Sequence, residues 1–140
     1  MIQANELRIG NNILLLGEVC TIECISNLPK RKEMYWIKTK EFIDTKIIHF
    51  KPIPLTEEIL LKCGFQIRDK NYSLNYGGES MRFAILETNI KNPFILYFHG
   101  RFGFNTESGR KDGDFCITHF HQLQNLYFAL TNEELTFNNL

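Results

Sequence analysis

Two cysteines and two histidines have the types and spacing that suggest metal chemistry. Cys20 and Cys24 are four positions apart, and His119 and His121 are two positions apart. On an extended strand the two thiols would share a face but lie about 13 Å apart. Two zinc-bound sulfurs must each come within about 2.3 Å of the ion. Because the two imidazoles would not share a face of a helix, we expect reduced cysteines, no metal and no cofactor.

Cys116 and His119 are the candidate pair for nucleophilic catalysis. A thiol needs a nearby base, and the base in turn needs a group that orients it. No third residue of that kind can be identified from the sequence. The acidic turn Asp112-Gly113-Asp114 lacks the glycine and the bidentate glutamate of a calcium loop. We therefore expect no catalytic residue and no small-molecule substrate, and a thiol- or metal-dependent enzyme is our third hypothesis.

A cluster of basic and aromatic residues is the main candidate contact surface. From residue 28 to residue 51 there are seven Lys or Arg and three Asp or Glu, a local net charge of +4 (7 − 3). Basic loops beside aromatic strands can contact RNA phosphates and stack on bases. The alternative is a solvated loop with the aromatic rings in the core, since charge runs often serve only solubility. The candidate RNA- or partner-binding residues are Lys30, Arg31, Lys32, Tyr35, Trp36, Lys38, Lys40, Arg101, Arg110 and Lys111.

Length and composition predict a single domain over residues 1–140. An apolar fraction of 44% suffices for a core, and a formal net charge of zero argues against bulk electrostatic capture of nucleic acid. No apolar run approaches the roughly 18 residues of a membrane helix. The first residues lack the pattern of a signal peptide. We therefore expect a cytoplasmic protein with no membrane partner.

The first half of the chain has strand-like patterning. Residues 11–16 and 19–25 predict two strands joined at Gly17-Glu18, although the apolar residues of the second strand do not segregate cleanly to one face. Residues 34–38 and 42–50 are rich in aromatic and branched side chains and predict further strands.

The middle segment predicts a short helix. Pro52 and Pro54 favour an extended entry, and Thr56 is a good N-cap. Gly64 suits a left-handed C-terminal cap. The helix is expected to cover about two turns.

The second half predicts a β-meander followed by a helix. Strands are expected at 65–68, 72–76, 81–88, 94–98 and 114–117. Thr118 is the expected cap of the last helix, and one more turn is expected from Thr131 to Leu135. Its apolar stripe is expected to be Phe120, Leu123, Leu126, Tyr127 and Leu130. The fold class is therefore α+β, with an antiparallel sheet or partly open β-barrel and two helices.

Three short segments resemble a family of small proteins carried by phages and prophages of Bacteroidetes bacteria. They are Ala4-Asn5-Glu6-Leu7-Arg8-Ile9-Gly10-Asn11, then Pro52-Ile53-Pro54-Leu55-Thr56-Glu57-Glu58, and finally His121-Gln122-Leu123-Gln124-Asn125-Leu126-Tyr127-Phe128-Ala129-Leu130-Thr131-Asn132-Glu133-Glu134-Leu135. The resemblance implies a shared scaffold and a phage or prophage origin. It transfers no catalytic residue.

The resemblance also suggests what kind of partner to expect. Small phage proteins without an active site often act by binding host machinery, and some are anti-defence proteins such as anti-CRISPR inhibitors. The leading hypothesis is a non-enzymatic protein that inhibits a bacterial defence complex by binding an RNA-guided nuclease or its guide RNA. The alternative is a structural or housekeeping phage module that binds only protein.

Overall fold

In the part of the chain that the structure describes, the fold has two five-stranded antiparallel sheets and two α-helices, which confirms the predicted α+β class with an open sheet. The computed structural model describes the backbone of residues 1–27, 35–68, 71–76, 79–86, 95–100 and 116–136, and the side chains of 1–27, 35–66 and 117–136. The chain divides into two compact units, Met1–Pro54 with His119–Glu134, and Leu55–Thr118 with Leu135–Leu140. The single domain over 1–140 stays a prediction.

The first sheet has the strand order β4-β3-β2-β1-β5. Its strands are β1 (Asn12–Leu15), β2 (Glu18–Asn27), β3 (Tyr35–Thr39), β4 (Thr45–Lys46) and β5 (Phe50–Lys51). The strand-like segment over 42–50 forms two short strands, because a 3₁₀ turn at Ile47–His49 separates β4 from β5. That turn directs Ile47 into the core of the sheet, which consists of Ile2, Ile13, Leu15, Cys20, Ile22, Ile37, Ile47 and Phe50.

The turn between β1 and β2 has left-handed backbone conformations at both of its residues. Leu15 pairs with Glu18, so the turn residues are Leu16 (φ 53°) and Gly17 (φ 87°), one position earlier than predicted. Positive φ at both positions is typical of a type I′ turn, whose twist matches that of the flanking strands. Leu16 adopts this unfavourable conformation without burying its side chain, since 91% of its surface is exposed.

A β-bulge in β2 explains why its apolar residues do not alternate regularly. The pairing with β3 shifts between Ile22 and Cys24. Cys20 and Ile22 point into the core before the bulge, and Ile25 packs against the same core after it. The extra residue leaves Cys24 exposed while Cys20 is buried. The expectation that the two thiols share a face is therefore wrong.

Helix α1 (Glu57–Lys62) forms where the local sequence predicts it. The Thr56 side chain accepts a hydrogen bond from the Ile59 amide at 3.2 Å, which confirms the N-cap. At the other end Gly64 has φ 87°, and the Phe65 amide donates to the Leu60 carbonyl while the Gly64 amide donates to Leu61. These two hydrogen bonds are the Schellman arrangement that a glycine in this position favours.

The second sheet is the predicted meander, with the order β10-β9-β8-β7-β6. All four strand pairs within it are antiparallel. Its strands are β6 (Gln66–Arg68), β7 (Asn71–Tyr76), β8 (Glu79–Leu86), β9 (Ile95–Gly100) and β10 (Cys116–Ile117).

Helix α2 (Phe120–Thr131) begins and ends differently from the prediction. Its N-cap is His119 rather than Thr118, and the His119 amide donates to the Gln122 side chain at 3.1 Å. At its end Asn132 adopts a left-handed conformation (φ 59°) and its amide donates to the Phe128 carbonyl. Asn132 thus stops the helix, and the extra turn predicted through Leu135 does not form. No helix in the described ranges is long and apolar enough to cross a membrane.

The buried face of α2 is more polar than the predicted stripe. Phe120 and Leu123 are buried as expected, but His121 and Gln124 are buried beside them, whereas Leu130 is exposed. Gln124 can be buried because its amide exchanges two hydrogen bonds with Asn12.

Candidate functional site

Strand β3 separates the predicted contact residues into two groups. Ile37 and Thr39 are buried, and Tyr35, on the same side of the strand, packs against the core of the first sheet. Trp36 and Lys38 alternate with them and lie on the opposite side, where Lys38 is exposed. We call this side, with Cys24, Trp36, Lys38, Lys40 and Lys46, the outer face.

Trp36 is held on the outer face by its neighbours in the sheet. It pairs with Ser26 of β2 on one side and with Lys46 of β4 on the other. The Lys46 Nζ atom lies 5.7 Å from the centre of the Trp36 ring, a cation–π contact of the kind that stabilises by about 0.5–1 kcal/mol when exposed. The indole Nε1 is buried without a hydrogen-bond partner in the part of the chain that the structure describes.

Acidic side chains reduce the positive charge of the outer face. Lys38 Nζ lies 3.6 Å from Glu23 Oε2, and both side chains are largely exposed. The Glu41 carboxylate accepts a hydrogen bond from the Thr21 amide at 3.0 Å. Lys38, Lys40 and Lys46 against Glu23 and Glu41 give a net charge of +1 (3 − 2). Exposed ion pairs of this type are weak and screened by salt.

An open groove with a volume of about 490 Å³ runs along this region. Cys24 and Lys38, which pair across β2 and β3, lie in it two residue pairs along the ladder from Ser26 and Trp36. The lining residues are Ile9, Gly10, Thr21, Ile22, Glu23, Cys24, Lys38 and Lys40. Lys38 and Lys40 thus form a charged wall of the groove, and Ile9 and Gly10 of the N-terminal segment line another part of it.

The structure places four of the ten predicted site residues. Trp36, Lys38 and Lys40 belong to the outer face, and Tyr35 belongs to the core side. Lys30, Arg31, Lys32, Arg101, Arg110 and Lys111 lie outside the described residues. The sequence did not predict Ile9, Gly10 and Lys46 as site residues. Strand register and the shape of the groove bring them to the outer face, and no local sequence motif marks them.

The N-terminal segment over residues 4–11, which we call the strap, is bound to α2 and the residues after it. The Arg8 guanidinium forms a bidentate salt bridge with the Glu134 carboxylate, with 2.8 Å between Nη2 and Oε2. The same guanidinium lies 4.1 Å over the centre of the Phe128 ring. Asn125 donates to the Glu6 carbonyl at 2.8 Å and accepts from the Asn11 side chain at 2.9 Å. Bidentate arginine–carboxylate pairs are stronger and more specific than pairs with a single hydrogen bond.

These contacts give a structural role to residues that carry the phage-protein resemblance. The first and third segments meet at the Arg8–Glu134 pair. The middle segment meets the start of α2, where the Phe120 amide donates to the Ile53 carbonyl at 2.9 Å and Pro54 forms a β-bridge with His119. The three segments thus have structural contacts, and the first of them also supplies Ile9 and Gly10 to the groove.

His121 is a buried histidine next to the strap. Only 1% of its surface is exposed, and neither ring nitrogen has a hydrogen-bond partner among the described residues. Its Nε2 atom lies 3.9 Å from Glu6 Oε2. The His119 ring stacks on it with centroids 5.9 Å apart, because His119 precedes the helix in an extended conformation. The expectation that these two rings lie apart is therefore wrong.

Burial shifts the pKa values of two described thiols and two described histidines away from those of a nucleophile and its base. The side chain of Cys116, the thiol of the candidate catalytic pair, lies outside the described residues. Burial lowers the pKa of His121 to about 4 and also lowers that of His119. Burial raises the pKa of the Cys63 thiol to about 12 and raises that of Cys20. A thiol with a raised pKa is a poor nucleophile because little thiolate forms. Within the described ranges, no three His, Cys, Asp or Glu side chains are grouped to hold a metal ion.

Comparisons of the chain with protein-family models, with curated proteins and with solved structures found no match. The resemblance to phage proteins therefore stays a prediction made from three segments. A functional proposal depends on the outer face, its groove and the strap that borders it.

Proposed function

We propose that the protein is a non-enzymatic binding protein of phage or prophage origin that inhibits a bacterial defence complex through its outer face. The observation that carries the proposal is the open groove with Lys38 and Lys40 on its wall, where Lys38 lies two residues along β3 from Trp36 and its partner Lys46. Tryptophan is among the residues enriched at the energetic centres of protein contacts.

The charge of the outer face favours a protein surface as the contact. Phosphate backbones are bound by several cations that are free to neutralise them. Lys38 already has Glu23 beside it, and the net charge over the five charged side chains is +1 (3 − 2). A protein surface with a few acidic groups around an apolar centre matches such a mixed face better. The proposed partner is therefore the effector protein, an RNA-guided nuclease, and direct contact with guide RNA is an outcome of the test.

A non-enzymatic mode of action is supported by the titratable groups. Cys20 and Cys63 are buried with raised pKa values, and His121 is buried with a lowered one. Groups of this kind serve packing, because they resist gaining the charge that a nucleophile or an acid–base catalyst needs.

The test is affinity capture of the tagged protein from its bacterial host, with and without ribonuclease, identifying bound proteins and RNA together. The matched variants are Lys38→Glu/Lys40→Glu on the outer face and Lys51→Glu on β5, an exposed lysine at the far edge of the same sheet. We expect recovery of an RNA-guided nuclease by the wild type and by Lys51→Glu, even after ribonuclease treatment. We expect the outer-face variant to lose it.

Two results would count against the proposal. Recovery of phage structural or replication proteins alone would replace it with the housekeeping alternative. Equal recovery of the nuclease by all three proteins would remove the outer face from the contact. Ribonuclease-sensitive recovery would instead assign the contact to guide RNA, and binding should then weaken steeply with salt.

A further inference from the structure

We propose that the strap is an acid-operated clasp, in which protonation of the His121 ring loosens residues 4–11 from α2 and displaces the part of the groove lined by Ile9 and Gly10. The regulation of the groove rests on the function proposed above. The clasp itself is a property of the isolated protein and can be tested without a partner.

His121 sits where a positive charge would be poorly solvated. The ring is 99% buried, as 1% of its surface is exposed, and both nitrogens lie out of contact with water. An imidazolium carries a donor on each nitrogen. Among the described residues neither nitrogen has an acceptor, so protonation would create two unsatisfied donors in place of one. A buried charged donor without a partner is strongly destabilising.

Two titratable groups act on this ring, and a third acts on the neighbouring His119. Glu6, from the strap, lies 3.9 Å away, beyond hydrogen-bond distance, and favours the charged form. His119, from the N-cap, is stacked on the ring and disfavours it. The α-ammonium of Met1 acts on His119 in the same unfavourable direction. Desolvation is the largest effect and outweighs Glu6, so the folded environment keeps His121 neutral.

The strap and His121 are mechanically connected through α2. Asn125 follows His121 by one helical turn, so the two lie on the same side of the helix. The Asn125 side chain binds the strap at the Glu6 carbonyl and at Asn11. Moving Glu6 away from α2 would let water reach His121, and the same movement breaks the Asn125–Glu6 hydrogen bond. Further along the strap, Ile9 and Gly10 line the groove.

The direction of the pH effect follows from the difference in protonation. In the closed strap the pKa of His121 is about 4, and in the open strap it returns to its ordinary value of 6.5. The open form binds more protons, so closure is fully favoured above pH 6.5 and is lost as the pH falls through 4. Between pH 7.5 and pH 5 the opening equilibrium constant should rise about 30-fold, by the linkage of these two values.

The test is amide hydrogen exchange of the full chain from pH 7.5 to pH 5, with the intrinsic pH dependence of exchange removed. We expect protection of residues 4–11 to fall about 30-fold over this range, by the linkage above, while protection of β2 and β3 changes much less. His121→Phe, which cannot titrate, should keep its strap protected at pH 5. The control His49→Gln changes an exposed histidine in the same unit and should behave like the wild type.

A second variant keeps the test informative if His121→Phe folds poorly. Gly10→Ala places a methyl group 2.9 Å from Glu134 Oε1 and should open the strap at pH 7.5 without any change in titration. Unchanged strap protection in the wild type down to pH 5 would overturn the clasp. A parallel loss in wild type and His121→Phe would overturn the role of His121.

The clasp and the proposed function can fail separately. Strap opening that depends on His121, together with nuclease capture that ignores Lys38 and Lys40, would retain the clasp and reject the function. Capture that depends on those lysines but is equally strong at pH 7.5 and pH 5.5 would retain the function and reject the control of the groove by the strap.

Discussion

Replacement of Gly10 by alanine should lower the free energy of unfolding by about 2–3 kcal/mol. Gly10 has φ 92°, in the left-handed region that costs a residue with a side chain about 1–2 kcal/mol. The added Cβ would also lie 2.9 Å from Glu134 Oε1 and 3.1 Å from its Cδ. Glu134 would have to move away from Arg8, and the loss of that ion pair adds roughly 1 kcal/mol.

Gly17→Ala is the matched control for the backbone contribution. Gly17 has a similar φ of 87°, but nothing lies within 4 Å of an added Cβ. We expect it to cost about 1–2 kcal/mol, from the backbone strain alone. Both glycines lie in the same unit as Trp36, the one tryptophan of the chain, so urea unfolding followed by its fluorescence reports on both variants.

The double variant Gly10→Ala/Glu134→Ala separates the contact from the strain. Removing the carboxylate should make the alanine at position 10 less costly by roughly 1 kcal/mol, the size of the lost ion pair. Equal costs for Gly10→Ala and Gly17→Ala, with additive behaviour in the double variant, would refute the contact between the strap and Glu134.

Three further predictions concern the β1–β2 turn, the N-cap of α1 and the buried His121. Leu16→Asn should stabilise the protein by about 1 kcal/mol in urea unfolding, because Asn tolerates the left-handed conformation and the replaced Leu16 is 91% exposed; destabilisation would show that Leu16 has a contact. Thr56→Ala should cost about 1 kcal/mol in thermal unfolding followed by circular dichroism, and no loss would disprove the cap at Ile59. The unfolding free energy should be about 2 kcal/mol lower at pH 5 than at pH 7.5, because the pKa of His121 is about 4 in the fold and unfolding lets it bind a proton; the same loss in His121→Phe would contradict this.

Features that depend on neighbouring residues in sequence could be predicted. Thr56 caps α1, and Gly64 ends it, because both interactions close within a few residues. The meander of the second sheet was predicted from successive strand-like segments, and the five strands pair in sequence order.

Features that depend on a distant partner could not be predicted. The bulge at Ile22 and Cys24 is defined by the pairing of β2 with β3, and it reverses the side on which Cys24 lies. Gln124 and His121 are buried because Asn12 of β1 and Glu6 of the strap, each more than one hundred residues away in sequence, meet α2 there. Hydrophobic periodicity carries no information on such polar pairs.

The candidate site shows the same limit. Composition identified the basic and aromatic residues, and the strand alternation of β3 decided that Trp36 faces outward while Tyr35 packs on the core. The position of Lys46 over the Trp36 ring requires the β3–β4 register, which no local motif specifies.

The most direct test of the proposed function is the affinity of the purified protein for the captured nuclease, measured for wild type, Lys38→Glu/Lys40→Glu and Lys51→Glu at equal folded fraction. The account predicts a loss of at least about tenfold for the outer-face variant, which corresponds to about 1.4 kcal/mol, and no change for Lys51→Glu. Equal affinities for all three proteins would contradict a contact through the outer face.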